Sequence, residues 1–327
     1  MDQTTQLSSE WKKSSLKNWV NVLKWLILIV SYSYLAYKLI TFDQYDELAA
    51  HWKQMPASQL WWLVVTLILL PVNLLLEALK WKLFVSKIQK IDILTSLKSI
   101  LSGIYTGFFT PNRVGELVGR VAFIDAEKRK SGVTLSIVNS LTQNLATIVC
   151  GLPAIVIFWR YKNNLLNTEN THYLEYAVLS MLFLVTLYFA LPIISGKLDR
   201  TKFSTRISAF TACLSVFRFS DLLLILVVAL IRYIVYAMQF YFILLFLGVQ
   251  LLPWEAAVSI PSSYLLITLT PSFSFSEVAI RGSYAVFFIN SFSPDVAGIA
   301  LAGIGVWFVN YAIPMMAGSV IATKKQV

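Results

Sequence analysis

The sequence predicts an all-α polytopic membrane protein: about six full transmembrane helices plus two proline-broken re-entrant hairpins, arranged as an inverted repeat. Three observations predict it. The chain is 57% hydrophobic and only 13% charged over 327 residues, about half the charge of a soluble domain. Six segments are long and apolar enough to cross a bilayer. Two further apolar segments break at Thr-Pro and then carry charge, at nearly the same place in each half.

Residues 1–18 form a polar, lysine-bearing tail, and Lys24 stands just before the first apolar run. That run has no small-residue cleavage site, so 19–40 reads as a retained first span rather than a signal peptide. The further full spans fall at about 60–80, 133–158, 173–195, 221–247 and 298–320. The broken segments are 99–120 and 255–281. Basic residues flank the first of these on both sides: Lys80, Lys82, Lys87, Lys90 and Lys98 before it, Lys128, Arg129 and Lys130 after it. A full span would put one basic flank outside, against the positive-inside rule. About 22 residues are too few for two crossings, so a hairpin returning to its own side is the economical reading. With both termini cytoplasmic, 19 of the 27 Lys and Arg then lie in cytoplasmic segments, including the basic 196–220 loop.

The two halves align at an offset of 160 residues: Thr110-Pro111 with Thr270-Pro271, then Glu116 and Arg120 with Glu277 and Arg281 after one inserted residue. Three full spans per half, an odd number, make the repeat inverted. One transmembrane domain, 1–327, thus divides into repeat 1 (about 19–160) and repeat 2 (about 173–320).

Composition also excludes. Cys150 and Cys213 are too few for a disulfide framework, and His51 and His172 stand apart, so neither a metal nor a cofactor is expected. The net charge of +10 would suggest nucleic acid in a soluble protein; here it belongs to cytoplasmic loops, and no nucleic-acid partner is expected.

Glu116 and Arg120 share a helix face, as do Glu277 and Arg281. The plain reading is two local salt bridges that let charge exist at depth. The functional reading is a polar cavity between the repeats, since intramembrane charge marks sites and pathways. A pseudo-two-fold axis would also bring Glu116 toward Arg281 and Glu277 toward Arg120. Arg113 adds a cation. Thr110, Thr270 and Ser274 add hydroxyls, and Pro111 and Pro271 set the breaks. Arginine suits phosphate, while the carboxylates are equally suited to a proton, a cation or an amine. Arg232, Asn139 and Gln143 read as a second layer around the site or as interhelical struts. Glu77, near the end of its span, reads as snorkelling or paired with a nearby lysine. No catalytic pair is recognisable, and there is no ATP-binding motif.

The run Gly107-Phe108-Phe109-Thr110-Pro111-Asn112-Arg113-Val114-Gly115-Glu116, closing at Arg120, resembles the signature of the lysylphosphatidylglycerol synthase transmembrane region, or flippase-like domain, family. The resemblance extends from about residue 20 to 322. The second half departs from it: Ser272-Phe273-Ser274-Phe275-Ser276 stands where the family is richer in glycine. The resemblance implies movement of a lipid between leaflets of a bacterial inner membrane, with a phospholipid or polyprenyl-phosphate-linked lipid as partner and an envelope-synthesis protein as a further one. With the chain ending at Val327, the soluble synthase domain is expected to be absent and aminoacyl transfer is not carried over. The residues leave other classes open: a small-solute or ion transporter, a membrane enzyme on lipid-linked substrates, or a scaffold.

Overall fold

A computed structural model describes residues 56–162, 172–199, 212–272 and 274–323, with isolated positions between 29 and 40. Among the described residues there is no strand. The helices, in chain order, are α1 (Leu60–Val85), α2 (Ile93–Phe108), α3 (Gly115–Val121), α4 (Arg129–Lys162) and α5 (His172–Asp199). They continue as α6 (Phe219–Phe246), α7 (Pro253–Leu269), α8 (Ser274–Ile289), α9 (Val296–Trp307) and α10 (Ile313–Thr323), the last two joined by a π-helical turn, Phe308–Ala312.

Five stretches are long and apolar enough to cross a membrane: Ala57–Val85, Ala126–Lys162, Leu174–Lys197, Phe219–Phe246 and Val296–Ile321. They match five of the six expected spans, so the chain is a multi-pass membrane protein. The expected first span, 19–40, lies outside the described residues. Helix α1 shows how such a span is written. Trp61, Val64, Ile68, Val72, Leu75 and Leu79 recur every three or four residues and are exposed. Thr66, Asn73, Glu77 and Lys80 lie on the buried side. Apolar residues outside and polar residues inside is the arrangement a lipid solvent selects, because buried polar groups must find partners in protein.

The two broken segments fold as helix–break–helix pairs. Helices α2 and α3 pack against each other, as do α7 and α8. At 16, 7, 17 and 16 residues, each arm is shorter than the ~20 residues of a full crossing. Asp92 caps α2 by accepting a hydrogen bond from the Thr95 N–H at 3.3 Å, and hydrogen bonding from Thr95 holds its carboxyl below the usual range.

Side-chain contacts place the open ends of the pairs at opposite ends of the bundle. Lys87, just before α2, binds Asp221 at the start of α6 at 2.7 Å. Gln89 bonds Asp125, which follows α3. At the other end, Trp254 at the start of α7 and Phe292 just after α8 meet edge to face, and Tyr161 at the end of α4 stacks on Phe292 and meets Trp254 edge to face. Tyr241, near the end of α6, bonds the Leu251 carbonyl just before α7. Across the halves, α2 packs on α10 while α7 packs on α4, and α1 packs on α6.

Glycine makes the first pair close enough to be useful. A Cβ on Gly119 would lie 2.6 Å from the Ser102 carbonyl oxygen and 2.8 Å from Gly103 Cα. One on Gly103 would lie 2.7 Å from Arg120 Cγ. The α3 glycines let the backbones touch, and the α2 glycines leave room for the stems of Glu116 and Arg120. Gly119→Ala is expected to destabilise the protein by roughly 1–3 kcal/mol through overpacking. Gly196→Ala, whose Cβ would meet Ser215 at an ordinary 3.9 Å, is expected to be neutral or slightly stabilising. Thermal unfolding in detergent compares the two; equal melting temperatures would contradict the packing assigned to Gly119.

Candidate functional site

The breaks are where the chain leaves helical geometry. Asn112 and Arg113 have φ of 50° and 55°, a left-handed conformation that Asn tolerates and Arg rarely adopts. Neighbouring contacts hold it there. The Asn112 N–H donates to the Ser272 carbonyl at 2.9 Å, and the Ser272 N–H donates to Asn112 Oδ1 at 3.0 Å. The two breaks therefore meet tip to tip. Within the first, Thr110 Oγ1 accepts from the Gly115 N–H at 2.8 Å and donates to the Gly107 carbonyl. Within the second, Thr270 bonds the Leu266 carbonyl and the Tyr284 hydroxyl. Both threonines thus satisfy the broken backbone and its surroundings.

Beside the tips lies a cavity of about 580 Å³ lined from α1 to the π-helical turn, with both breaks in its wall. Its charges form one connected network. Arg113 reaches across from the first pair to Glu277 of the second at 2.5 Å and lies 3.6 Å from Glu116. Glu277 also holds Arg281 at 2.7 Å. Glu116 holds Arg120 at 3.1 Å. Arg120 continues to Glu77 at 3.1 Å, and Glu77 takes Lys80 at 2.8 Å and Arg232 at 3.2 Å.

Polar and aromatic groups complete the network. Asn139 donates to Glu77, and Gln143 accepts from both Lys80 and Arg232. Arg113 stacks on the Tyr311 ring at 3.5 Å, and Arg281 donates to the Tyr236 hydroxyl at 2.9 Å. The π-helical turn, a frequent device at functional sites, supplies both Tyr311 and Asn310 to the cavity wall. Asn310 accepts from Asn73 at 2.7 Å.

Of the residues singled out from sequence, Arg113, Glu116, Arg120, Glu277, Arg281, Arg232 and Gln143 line the cavity, with Pro271 and Thr270 at the second break. Asn139 stands behind Glu77. The side chains of Ser274 and Pro111 lie outside the described residues. The ion pair between the two broken segments is made by Arg113 to Glu277; Arg120 turns instead to Glu77. Glu77 does pair with a nearby lysine, but it is only 4% exposed, so it is a buried hub and does not snorkel. The Glu77/Lys80 spacing within an apolar span was the available signal. Tyr236, Tyr311 and Asn310 gave none.

The model of the lysylphosphatidylglycerol synthase transmembrane region family matches residues 22–318. The chain belongs to that family. No curated protein and no solved structure matches it. For this member of the lysylphosphatidylglycerol synthase transmembrane-region family, the match spans both broken segments and every charged residue of the network. Among the described residues no group of three or more His, Cys, Asp or Glu is placed to hold a metal ion.

Removing one partner of a buried ion pair costs about 3–5 kcal/mol, against about 0–1 kcal/mol for an exposed one. Glu77→Gln leaves Lys80 and Arg232 without an anionic partner and Arg120 with Glu116 alone, and is expected to fall in the first range. Asp125→Asn, at an exposed pair with Lys128, is expected to fall in the second. Chemical or thermal unfolding in detergent measures both, and a Glu77→Gln effect as small as that of Asp125→Asn would remove Glu77 from the centre of the network.

Proposed function

We propose that the protein translocates a phosphate-bearing envelope lipid between the leaflets of a bacterial cytoplasmic membrane. The observation that carries this reading is a cavity rich in arginine, set among membrane-spanning helices, whose rim is apolar and exposed. Val114, Leu141 and Leu269 line the cavity and are 57%, 52% and 61% exposed. A polar pocket with an apolar exposed border suits a headgroup with its acyl chains; a water-facing cup for a small solute has no use for that border. The family supports the same class of substrate.

In this reading the two helix–break–helix pairs are re-entrant hairpins of an inverted repeat. Several observations support it: the short arms, open ends at opposite ends of the bundle, tips that meet at Asn112 and Ser272, and the exchange of packing partners between halves. The pseudo-two-fold axis would pass near the tips. The basic loops around Lys87, Lys128 and Arg218 then share the cytoplasmic face, and both termini are cytoplasmic. Arg113, Arg120 and Arg281 hold the phosphate, with Arg232 behind them. Glu116 and Glu277 occupy those arginines when no headgroup is bound. Exchange of arginine partners between carboxylate and phosphate would let the hairpins rock about the tip contact, exposing the cavity to one leaflet and then the other. The chemistry is binding and release, with no bond broken, so the proposed role is not enzymatic.

Lipid movement in proteoliposomes tests this. Short-chain fluorescent phospholipids and prenyl phosphates are expected to cross faster with wild type than in protein-free vesicles. Arg113→Gln is expected to lower the rate about ten- to a hundredfold, the value of one charge-assisted hydrogen bond. Folded protein that accelerates no lipid would turn the reading toward a solute transporter or a scaffold.

A further inference from the structure

The charges of the site do not balance. Among the described residues, Lys80, Arg113, Arg120, Arg232 and Arg281 carry five positive charges in the network. Glu77, Glu116 and Glu277 carry three negative ones. Every carboxylate is already shared: Glu77 among three cations, and Glu116 and Glu277 between two each. The excess is two positive charges in a site where Arg120 and Arg281 are only 5% and 6% exposed.

The donors do not balance either. Nε and Nη1 of Arg120, and Nε of Arg232, are buried without an acceptor among the described residues. Both side chains line the cavity. A buried cation with unfilled donors is costly unless a partner anion completes it, and a guanidinium edge fits a phosphate's oxygens.

We infer that the ligand group is a dianionic phosphomonoester, which would cancel the excess of two charges in the cavity that Arg120 and Arg232 line. This deepens the headgroup reading and rests on the cavity being its ligand site. A phosphodiester headgroup brings one negative charge and leaves one cation uncompensated. A zwitterionic headgroup brings no net charge. A lysylated headgroup brings two ammonium groups and one phosphate, adding to the excess. The site therefore suits a lipid ending in a bare phosphate better than the aminoacylated lipid for which the family is named. A free phosphate or soluble phosphomonoester offers the same chemistry, and the test must separate it from the lipid.

The test is binding to the purified full chain in lipid-free detergent at pH 7, where a phosphomonoester carries about 1.5 to 2 negative charges. The probes are short-chain phosphatidic acid, short-chain phosphatidylglycerol, short-chain phosphatidylcholine and inorganic phosphate. Phosphatidic acid is expected to bind about tenfold or more tightly than phosphatidylglycerol, the worth of one further charged contact. Phosphatidylcholine is expected to be weakest. Arg232→Gln lowers the excess to one charge while Glu77 keeps Lys80 and Arg120. In that variant the monoester preference is expected to shrink to about threefold or less, and Arg232→Lys is expected to restore it.

Equal wild-type affinity for phosphatidic acid and phosphatidylglycerol would overturn the inference. So would an Arg232→Gln protein that melts and elutes normally yet keeps the full preference. Inorganic phosphate binding as tightly as phosphatidic acid would uphold the dianion and assign it to a soluble source, which removes the lipid reading. Vesicle assays in which phosphatidylglycerol moves as fast as phosphatidic acid would uphold translocation and overturn the dianion.

Discussion

A charge placed among apolar helices has no water to turn to, so its partner must come from the protein. In this chain that constraint converges on Glu77. One carboxylate, almost fully buried, holds Lys80 from its own helix, Arg120 from the first broken pair and Arg232 from α6. Three separate elements are thereby fixed around one point. The Coulombic attraction is strong at low dielectric, but so is the cost of removing each group from water. The network is thus a better device for specifying how the elements meet than for adding stability.

Backbone close approach lets the other charges join. Without glycines at 103, 107, 115 and 119, α3 could not lie against α2, and Glu116 and Arg120 would have no space above the α2 backbone. With the pair closed, the break at Asn112 and Arg113 is presented at its tip. The left-handed backbone there points Arg113 toward the other half, where it finds Glu277 and Tyr311. The tip-to-tip bonds between Asn112 and Ser272 hold the two halves in register at that place. A local sequence feature, Thr-Pro after an apolar helix, becomes the wall of a shared cavity.

Much of this was legible in the sequence because membrane helices are written in length and hydropathy. The five described spans follow from that, and so do the breaks, which Thr-Pro followed by charge marks; proline alone does not, since Pro71, Pro153, Pro192 and Pro261 lie inside continuous helices. The i,i+4 spacing of Glu116 with Arg120 and of Glu277 with Arg281 announced two ion pairs, and both form. What the sequence hid depends on contacts between distant elements. Arg113 reaching Glu277 spans 164 positions, and no spacing rule predicts it. Glu77 looked like an end-of-span residue because Lys80 and Lys82 follow it closely; only the packing of α6, α2 and α4 against α1 buries it. Pro314, which lacks the N–H that would bond the Asn310 carbonyl, marks a disturbance beside the π-helical turn at Phe308–Ala312, but nothing in the sequence directs Asn310 and Tyr311 to the cavity.

A cationic cavity framed by two broken helical pairs, and bordered by exposed apolar side chains, joins the family's link to lipids with a chemical reason for binding one. Determining the structure of the full chain in nanodiscs containing anionic phospholipid tests that most directly. Expected is a phosphate group in the cavity within hydrogen-bond distance of Arg113, Arg120 or Arg281, with acyl chains leaving past Leu141 and Leu269. A well-ordered cavity holding only water, with lipid confined to the outer faces of the helices, would contradict it.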